Sequence, residues 1–295
     1  MNDVEALKPS INSFPEKTFF IEDSIHGFDG KILHLESWTP YAKPWAVLLV
    51  IHSIGDHINR YKHFANYFAE HGIAVMGIDM HGYGKSQGRK GIAKFKHLLS
   101  DVKRLIEYTD IRFPHLPKIV YGHGLGGNLA LTYATRNNSS YAAIISSSPW
   151  IRVVLRHPLY FRKVMQAIVW FYPSVTVKNK IKSSDLSHNV DCVSAYDKDP
   201  LAHCFMSAKL LFNLPKAGEY LLRNKHKINK PLLLMHGSND CIASWHATTE
   251  FAKYTSQNTT LKIWKGDYHE LHNEIDKEDI FEFILQWINQ LPGIH

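Results

Sequence analysis

Four short stretches of this chain carry the residue types that nucleophilic ester chemistry requires, and each follows a predicted strand. Acyl transfer needs a nucleophile on a sharp strand-to-helix turn and a histidine to take its proton. It also needs a carboxylate to orient that histidine, and backbone N–H groups for the oxyanion. Tyr121-Gly122-His123-Gly124-Leu125-Gly126-Gly127 has the strand-then-helix context of a Gly-x-Ser-x-Gly turn, with Gly122 and Gly126 at the tight positions. Position 124, where the serine belongs, is glycine. A glycine-rich turn can also cradle phosphate, but this one lacks both the Lys-Ser/Thr of a P-loop and a full Gly-x-Gly-x-x-Gly spacing. Leu234 to Asp240 runs off an apolar strand, which puts Asp240 at the carboxyl edge of the sheet, as an orienting acid or simply as an Asp closing a turn. Gly266 to Glu274 lies between the last strand and the final helix, and His269 there is placed for a general base; taken alone it would more often be a surface histidine. His52-Ser53-Ile54-Gly55-Asp56-His57 ends a strand and reads as an oxyanion loop, with the N–H groups of Ile54 and Leu125 as the donor pair, or as a plain turn with Asp56 near a helix N-terminus. The order nucleophile position, acid, histidine is the one such a turn requires.

The elements that must hold these stretches alternate. Thr18–Glu22 and Lys31–Trp38 are β-rich and joined through Asp29-Gly30, which predicts a hairpin. Ala46–His52 is a continuous apolar run, as in a strand buried on both faces. Further strands are predicted at Ile73–Ile78, Lys118–Tyr121, Tyr141–Ser146, Pro231–Met235 and Leu261–Trp264. Helices are predicted at Tyr61–His71, Phe95–Phe113, from the 124 turn to about Thr135, Trp245–Tyr254 and Lys277–Gln290. This pattern predicts a mostly parallel sheet opened by an antiparallel hairpin, with helices on both faces. From about Pro149 to Pro215 no strand is predicted, and aromatic and aliphatic residues mix with bases. A loop that long would be exceptional, so a small helical cap is expected. The expected division is a core of residues 1–148 and 216–295 with a cap of 149–215.

Composition narrows the function. Lys and Arg number 34 against 27 Asp and Glu, a net charge of +7, but the bases are dispersed and no nucleic-acid module is visible, so no nucleic-acid partner is expected. Three widely spaced cysteines, Cys192, Cys204 and Cys241, argue against a disulfide framework and for a reducing compartment. The first fifteen residues lack an apolar signal core, and the longest apolar run, Trp45 to Ile51, is too short to cross a bilayer. The expected location is cytoplasmic, with peripheral contact at a membrane surface. His269 and His272 are three apart, yet no further Cys/His pair completes a zinc set, so no metal and no cofactor are expected; surface and turn positions account for the abundant histidines.

Five motifs in order resemble the monoacylglycerol lipase and lysophospholipase branch (serine aminopeptidase S33-like) of the α/β-hydrolases. The family pattern is His-Gly-x-Gly-(Glu/Asp)-His-x-x-Arg-Tyr, then Asp-x-x-Gly-x-Gly-x-Ser, Gly-His-Ser-Met-Gly-Gly, His-Gly-x-x-Asp and Tyr-His-(Glu/x)-Leu-x-x-Glu. Here these stand as His52 to Tyr61, Asp79 to Ser86, Gly122 to Gly127, His236 to Asp240 and Tyr268 to Glu274. The likeness spans about Glu16 to Leu291 and is weakest in the cap. It implies the α/β-hydrolase fold, Asp240 as acid, His269 as base and Gly124 at the nucleophile position. Two departures from the pattern bear on the chemistry: the serine becomes Gly124, and the glycine after the oxyanion-loop histidine becomes Ser53. Glycine relaxes the strained turn while removing the attacking oxygen, as expected of a natural pseudoenzyme, and the second departure favours natural divergence over a deliberate inactivation. Ser53 is not expected to inherit the elbow's geometry or its oxyanion donors; its plain reading is a small residue in a turn. The resemblance implies a carboxylic ester hydrolase for monoacyl lipids, inactive or strongly impaired as written. The alternatives are a non-catalytic acyl-lipid-binding or interaction protein, and a small-ester hydrolase or peptidase of the same fold. The partner expected is a small acyl ester or lipid, lined by Ser53, Met165, Ile168, Val169 and Phe171, with the cap's aromatic stretch resting on the membrane.

Overall fold

A hairpin opens the chain: β1 (Thr18–His26) and β2 (Ile32–Pro40) pair antiparallel along their length, turning through Gly30 at φ 78°. The computed structural model describes residues 18–137, 141–154, 172, 175–178, 181–253, 255 and 258–294. After the hairpin come β3 (Ala46–Ile51), α1 (Lys62–Glu70), β4 (Ile73–Ile78), α2 (Phe95–Arg112), β5 (Lys118–His123), α3 (Leu125–Ala134) and β6 (Ala143–Ser147). Then follow β7 (Thr176–Lys178), α4 (Val190–Lys198), β8 (Phe205–Ser207), α5 (Ala208–Asn224), β9 (Leu232–Gly237), α6 (Trp245–Ala252), β10 (Thr259–Trp264) and α7 (Lys277–Asn289). Eight strands form one sheet in the order β1-β2-β4-β3-β5-β6-β9-β10, parallel from β4 to β10.

The period of two along each strand builds a core on each face. Val47, Leu49 and Ile51 of β3 point into one, with Leu98 and Val102 of α2, Leu129 of α3 and Phe251 of α6. Ala46, Leu48 and Val50 point into the other, with Phe64 and Phe68 of α1 and Ile284 and Ile288 of α7. The double burial explains why β3 is apolar without alternation. It also fixes β3 and β5 at the centre, so that the loops leaving their carboxyl ends meet.

The region between β6 and β9, where no strand is expected, holds two. β7 and β8 pair antiparallel over three residues each, too short for any periodicity to announce them. Pro215 lies inside α5. Helix α5 tolerates it at the cost of the hydrogen bond that Pro215 cannot donate to the Leu211 carbonyl. Residues 181–205 lean back on the core. Glu270 N–H donates to the Leu186 carbonyl at 2.7 Å, and His203 N–H to the Gly55 carbonyl at 3.0 Å. Met165, Ile168, Val169 and Phe171, expected to line an acyl pocket, lie outside the described residues. Cys192, Cys204 and Cys241 are free thiols. Among the described residues no helix is long and apolar enough to cross a membrane.

Candidate active site

The turn between β5 and α3 has Gly124 at its tip, with φ 56° and ψ −115°, a conformation that side-chain-bearing residues rarely adopt. The turn is as tight as the sequence demands. A Cβ on Gly122 would come within 2.4 Å of the Gly126 carbonyl oxygen, and one on Gly126 within 2.1 Å of that of Ile51. Main-chain bonds hold the tip: Gly124 N–H donates to Ser147 O at 3.0 Å, and Gly124 O accepts from Trp150 N–H at 3.0 Å and Asn128 N–H at 3.2 Å.

Asp240 and His269 meet at this tip. His269 Nδ1 donates to Asp240 Oδ2 at 2.6 Å, and both residues are buried. The carboxylate has a full set of donors. Oδ2 also accepts from His236 Nε2 at 2.9 Å, while Oδ1 accepts from the N–H groups of Ile242 at 2.7 Å and Ala243 at 2.9 Å. Burial alone would raise its pKa; the facing imidazole of His269 and the hydrogen bonds from His236 and His269 outweigh it and hold the carboxyl far below its usual range. His236 in turn accepts from the Thr248 hydroxyl at 2.9 Å through Nδ1, which fixes its Nε2 as the donor.

The free nitrogen of His269 is occupied by a group that the sequence did not single out. Trp150 Nε1–H donates to His269 Nε2 at 3.2 Å. A ring nitrogen that accepts an N–H carries the lone pair, so the proton sits on Nδ1, facing Asp240, the tautomer a general base needs. Ser148, the one non-glycine residue with positive φ (45°) among the described residues, donates its hydroxyl to the His269 carbonyl at 2.7 Å.

The oxyanion loop sits opposite. His52 is buried, and desolvation lowers its pKa; it donates Nδ1–H to the Ser53 carbonyl at 2.6 Å and accepts from Met80 N–H at 2.8 Å. Of the two expected oxyanion donors, the Leu125 N–H points at Ser53 Oγ at 3.2 Å. No acceptor for the Ile54 N–H is found among the described residues. Ser53 Oγ thus reaches an elbow N–H. The reason is that β3 and β5 are adjacent parallel strands, so their end loops converge.

Arg60 locks this loop to the histidine loop. Its guanidinium donates to Asp56 Oδ1 at 2.9 Å and bidentately to Glu270 at 3.0 and 2.7 Å, while Tyr61 OH donates to Asp56 Oδ2 at 2.8 Å. Asp56 thus serves Arg60 and Tyr61 rather than only a helix N-terminus. Nor are the two neighbouring histidines surface residues. His269 and His272 are both buried, and His272 stacks on Tyr61 with ring centroids 4.4 Å apart. They share no metal geometry. The one group with ligand-like spacing among the described residues is Glu22, His34 and Glu36 on the opening hairpin. There the Lys85 ammonium already holds Glu22 at 2.9 Å, and Asn59 and His34 serve Glu36.

A mostly parallel sheet with an elbow after β5, an acid loop after β9, a histidine loop after β10 and an oxyanion loop after β3 defines an α/β-hydrolase. Residues 42–276 match the family described as Serine aminopeptidase, S33, and the chain belongs to it. The human monoglyceride lipase is 30% identical over 274 residues, covering 89% of this chain and 88% of that one. The monoacylglycerol lipase of Mycolicibacterium smegmatis is 26% identical over 273 residues, covering 90% and 96%. An uncharacterized abhydrolase domain-containing protein of Dictyostelium discoideum is 32% identical over 266 residues, 89% of this chain, which spans only 28% of that longer protein. Among solved structures, a soluble variant of the Saccharomyces cerevisiae monoglyceride lipase in complex with a substrate analog superposes with a TM-score of 0.81 at 21% identity, covering 97% of this chain and 99% of that one. The Paleococcus ferrophilus monoacylglycerol lipase gives 0.79 at 24% identity, covering 87% and 98%. At these identities the two structures speak for the fold; the sequence relatives make the chain monoglyceride-lipase-like.

Proposed function

We propose that this chain is a monoacyl-lipid-binding member of the family in which ester hydrolysis through position 124 is closed. Asp240 and His269 keep the acid and base places, Ile54 and Leu125 the oxyanion places, and the 149–215 segment forms the cap over an acyl chain. The observation that carries the reading is the facing of an ordered Asp240–His269 pair, 2.6 Å apart, on a glycine with no oxygen to activate. In a serine protease, loss of the nucleophile alone lowers turnover by about a million-fold. Water activated by His269 would forgo the covalent route that divides the reaction into two easier steps. The lipid class is argued from the relatives named lipases, and with it a peripheral seat of the cap on a cytoplasmic membrane face.

The test pairs activity with binding. The chain is assayed on a monoacylglycerol and a short aryl ester, labelled with a fluorophosphonate, and titrated with monoacylglycerol by calorimetry. Binding without turnover or label is expected. Turnover at enzyme-like rates, or absence of lipid binding, refutes the reading.

A further inference from the structure

The departures from the family pattern at positions 53 and 124 are one structural event. A Cβ built on Gly124 would lie 2.3 Å from Ser53 Oγ, 3.0 Å from Ser53 Cβ and 3.3 Å from His269 Nε2. The space beside the base, which a side chain at 124 would enter, is therefore already filled, and it is filled by the hydroxyl of Ser53. That hydroxyl also accepts the Leu125 N–H at 3.2 Å, one of the two donors placed for an oxyanion. On the other side, the Trp150 indole N–H caps the lone pair of His269 Nε2. The base and one oxyanion donor have each found an internal partner, and the nucleophile's space is taken.

Resting on the lipid-site reading above, we propose that Ser53 is an internal ligand of the oxyanion site and that positions 53 and 124 form one coupled unit. With serine at 53, the site excludes both a side chain at 124 and the oxygen of an acyl carbonyl from Leu125. Rotation of Ser53 about its Cα–Cβ bond takes Oγ out of its 2.3 Å contact but leaves Cβ at 3.0 Å, so a rotamer change relieves the conflict only in part and the loop must still give by a few tenths of an ångström. Backbone retreat is opposed as well. The Ser53 carbonyl is held by His52 Nδ1 at 2.6 Å, and a Cβ on the next-but-one residue, Gly55, would already lie 2.1 Å from the His203 carbonyl oxygen, so that flank of the loop has no slack. Serine fits position 124 without displacing the oxyanion loop only when position 53 carries no side chain, and glycine at 124 is what makes room for Ser53 Oγ where it stands. Restoring the attacking oxygen by Gly124→Ser alone therefore restores the site poorly.

The coupling has a catalytic and a non-catalytic readout. Parent, Gly124→Ser, Ser53→Gly and the double variant are compared for aryl-ester turnover, for fluorophosphonate labelling mapped to a residue, and for thermal stability. The expected result is turnover and label at position 124 in the double variant, at least a hundred-fold above Gly124→Ser, with parent and Ser53→Gly inert. Equal activity of Gly124→Ser and the double variant overturns the proposal, and so does labelling of the parent on Ser53, which would make Ser53 a nucleophile. The second readout needs no turnover. A long-chain alkylphosphonate, an anion with the shape of the tetrahedral intermediate, is titrated into parent, Ser53→Gly and Ser53→Ala. Freeing the Leu125 N–H is expected to tighten binding by ten-fold or more in both variants, Ser53→Ala serving if Ser53→Gly does not fold. Unchanged affinity, or no phosphonate binding by either variant, overturns the proposal. Monoacylglycerol binding by the parent, measured alongside, shows separately whether the lipid-site reading stands.

Discussion

Replacing Arg60 with methionine removes the cation that ties the oxyanion loop to the histidine loop, and its cost can be reasoned from the contacts it would abolish. The guanidinium makes three charge-assisted bonds, to Asp56 at 2.9 Å and to Glu270 at 3.0 and 2.7 Å, with its side chain 10% exposed. Methionine fills much of the volume, so the loss is mainly electrostatic. Two buried carboxylates would be left, Asp56 with the Tyr61 hydroxyl and the His57 N–H, and Glu270 with the Asn273 amide at 2.6 Å. Breaking a buried pair in this one-sided way costs about 3–5 kcal/mol, against about 1 kcal/mol or less for an exposed pair. With a urea m-value of about 3 kcal/mol/M, the unfolding midpoint at pH 7 should fall by more than about 1 M. The pH dependence separates this from a packing defect. In the parent, burial pushes Glu270 up but Arg60 outweighs it and holds the carboxyl below its usual range. That stabilisation is complete above the unfolded value near 4.3 and is lost as pH falls through the folded one. Without Arg60, burial is opposed chiefly by the Asn273 amide and the nearby His272 and His123; as the largest influence it should lift the folded pKa above the unfolded one, so that stability falls as pH rises. The gap between parent and variant should therefore narrow from pH 7 to pH 5. Adding Glu270→Gln to Arg60→Met should recover about 2 kcal/mol as coupling. A loss below 1 kcal/mol at pH 7, or a gap unchanged at pH 5, would refute the reasoning.

Two further outcomes follow from buried carboxylates in different surroundings. Asp101 is raised to about 7 chiefly by burial, opposed by the single N–H of His81 at 3.0 Å. Its folded value exceeds the unfolded one, so stability is greatest at low pH and is lost between about 4 and about 7; Asp101→Asn, which still accepts the His81 N–H, should be the more stable form at pH 8 by up to about 4 kcal/mol and show no such slope in thermal unfolding. Asp240 has the opposite sign, since two imidazoles and two backbone N–H groups favour its charged form. Asp240→Asn turns an NH2 towards one of those donors and should cost about 2–4 kcal/mol even though Gly124 offers no side-chain oxygen to activate; a neutral effect on the melting temperature would count against a structural role.

Most of the fold was legible because its signals are local. The apolar run of Ala46–Ile51, the glycines at 122 and 126 and the Asp29-Gly30 turn each declare an element within a few residues. Asp240 and His269 were legible from their places after successive strands, and they meet at 2.6 Å. What escaped the sequence is long-range. Trp150 reaches His269 across 119 positions, Arg60 reaches Glu270 across 210, and Ser53 reaches Leu125 across 72. Nothing in the periodicity around Ser53 marks its side chain as lying against the elbow, because the contact is set by β3 and β5 being neighbours in the sheet. The strands β7 and β8 escaped for a different reason, since three residues do not complete a pattern.

The persistence of an ordered acid–base pair beside a glycine has a physical basis that does not require turnover. The carboxylate of Asp240 closes the loop after β9 by accepting from Ile242 and Ala243, and its second oxygen joins His236 to His269. The loop of His269 is bound through its neighbour Glu270 to Arg60 and to the Leu186 carbonyl, and through its own carbonyl to Ser148. Each member therefore holds loops together as well as presenting a proton acceptor. The nucleophile position is different. Its side chain would close no loop, and its backbone lies where glycine is less strained than serine. Glycine at residue 124 is thus the departure that costs the fold least. The space beside it is small and polar and lies against the Leu125 N–H, so a hydroxyl from the neighbouring loop satisfies it, as Ser53 does at 3.2 Å.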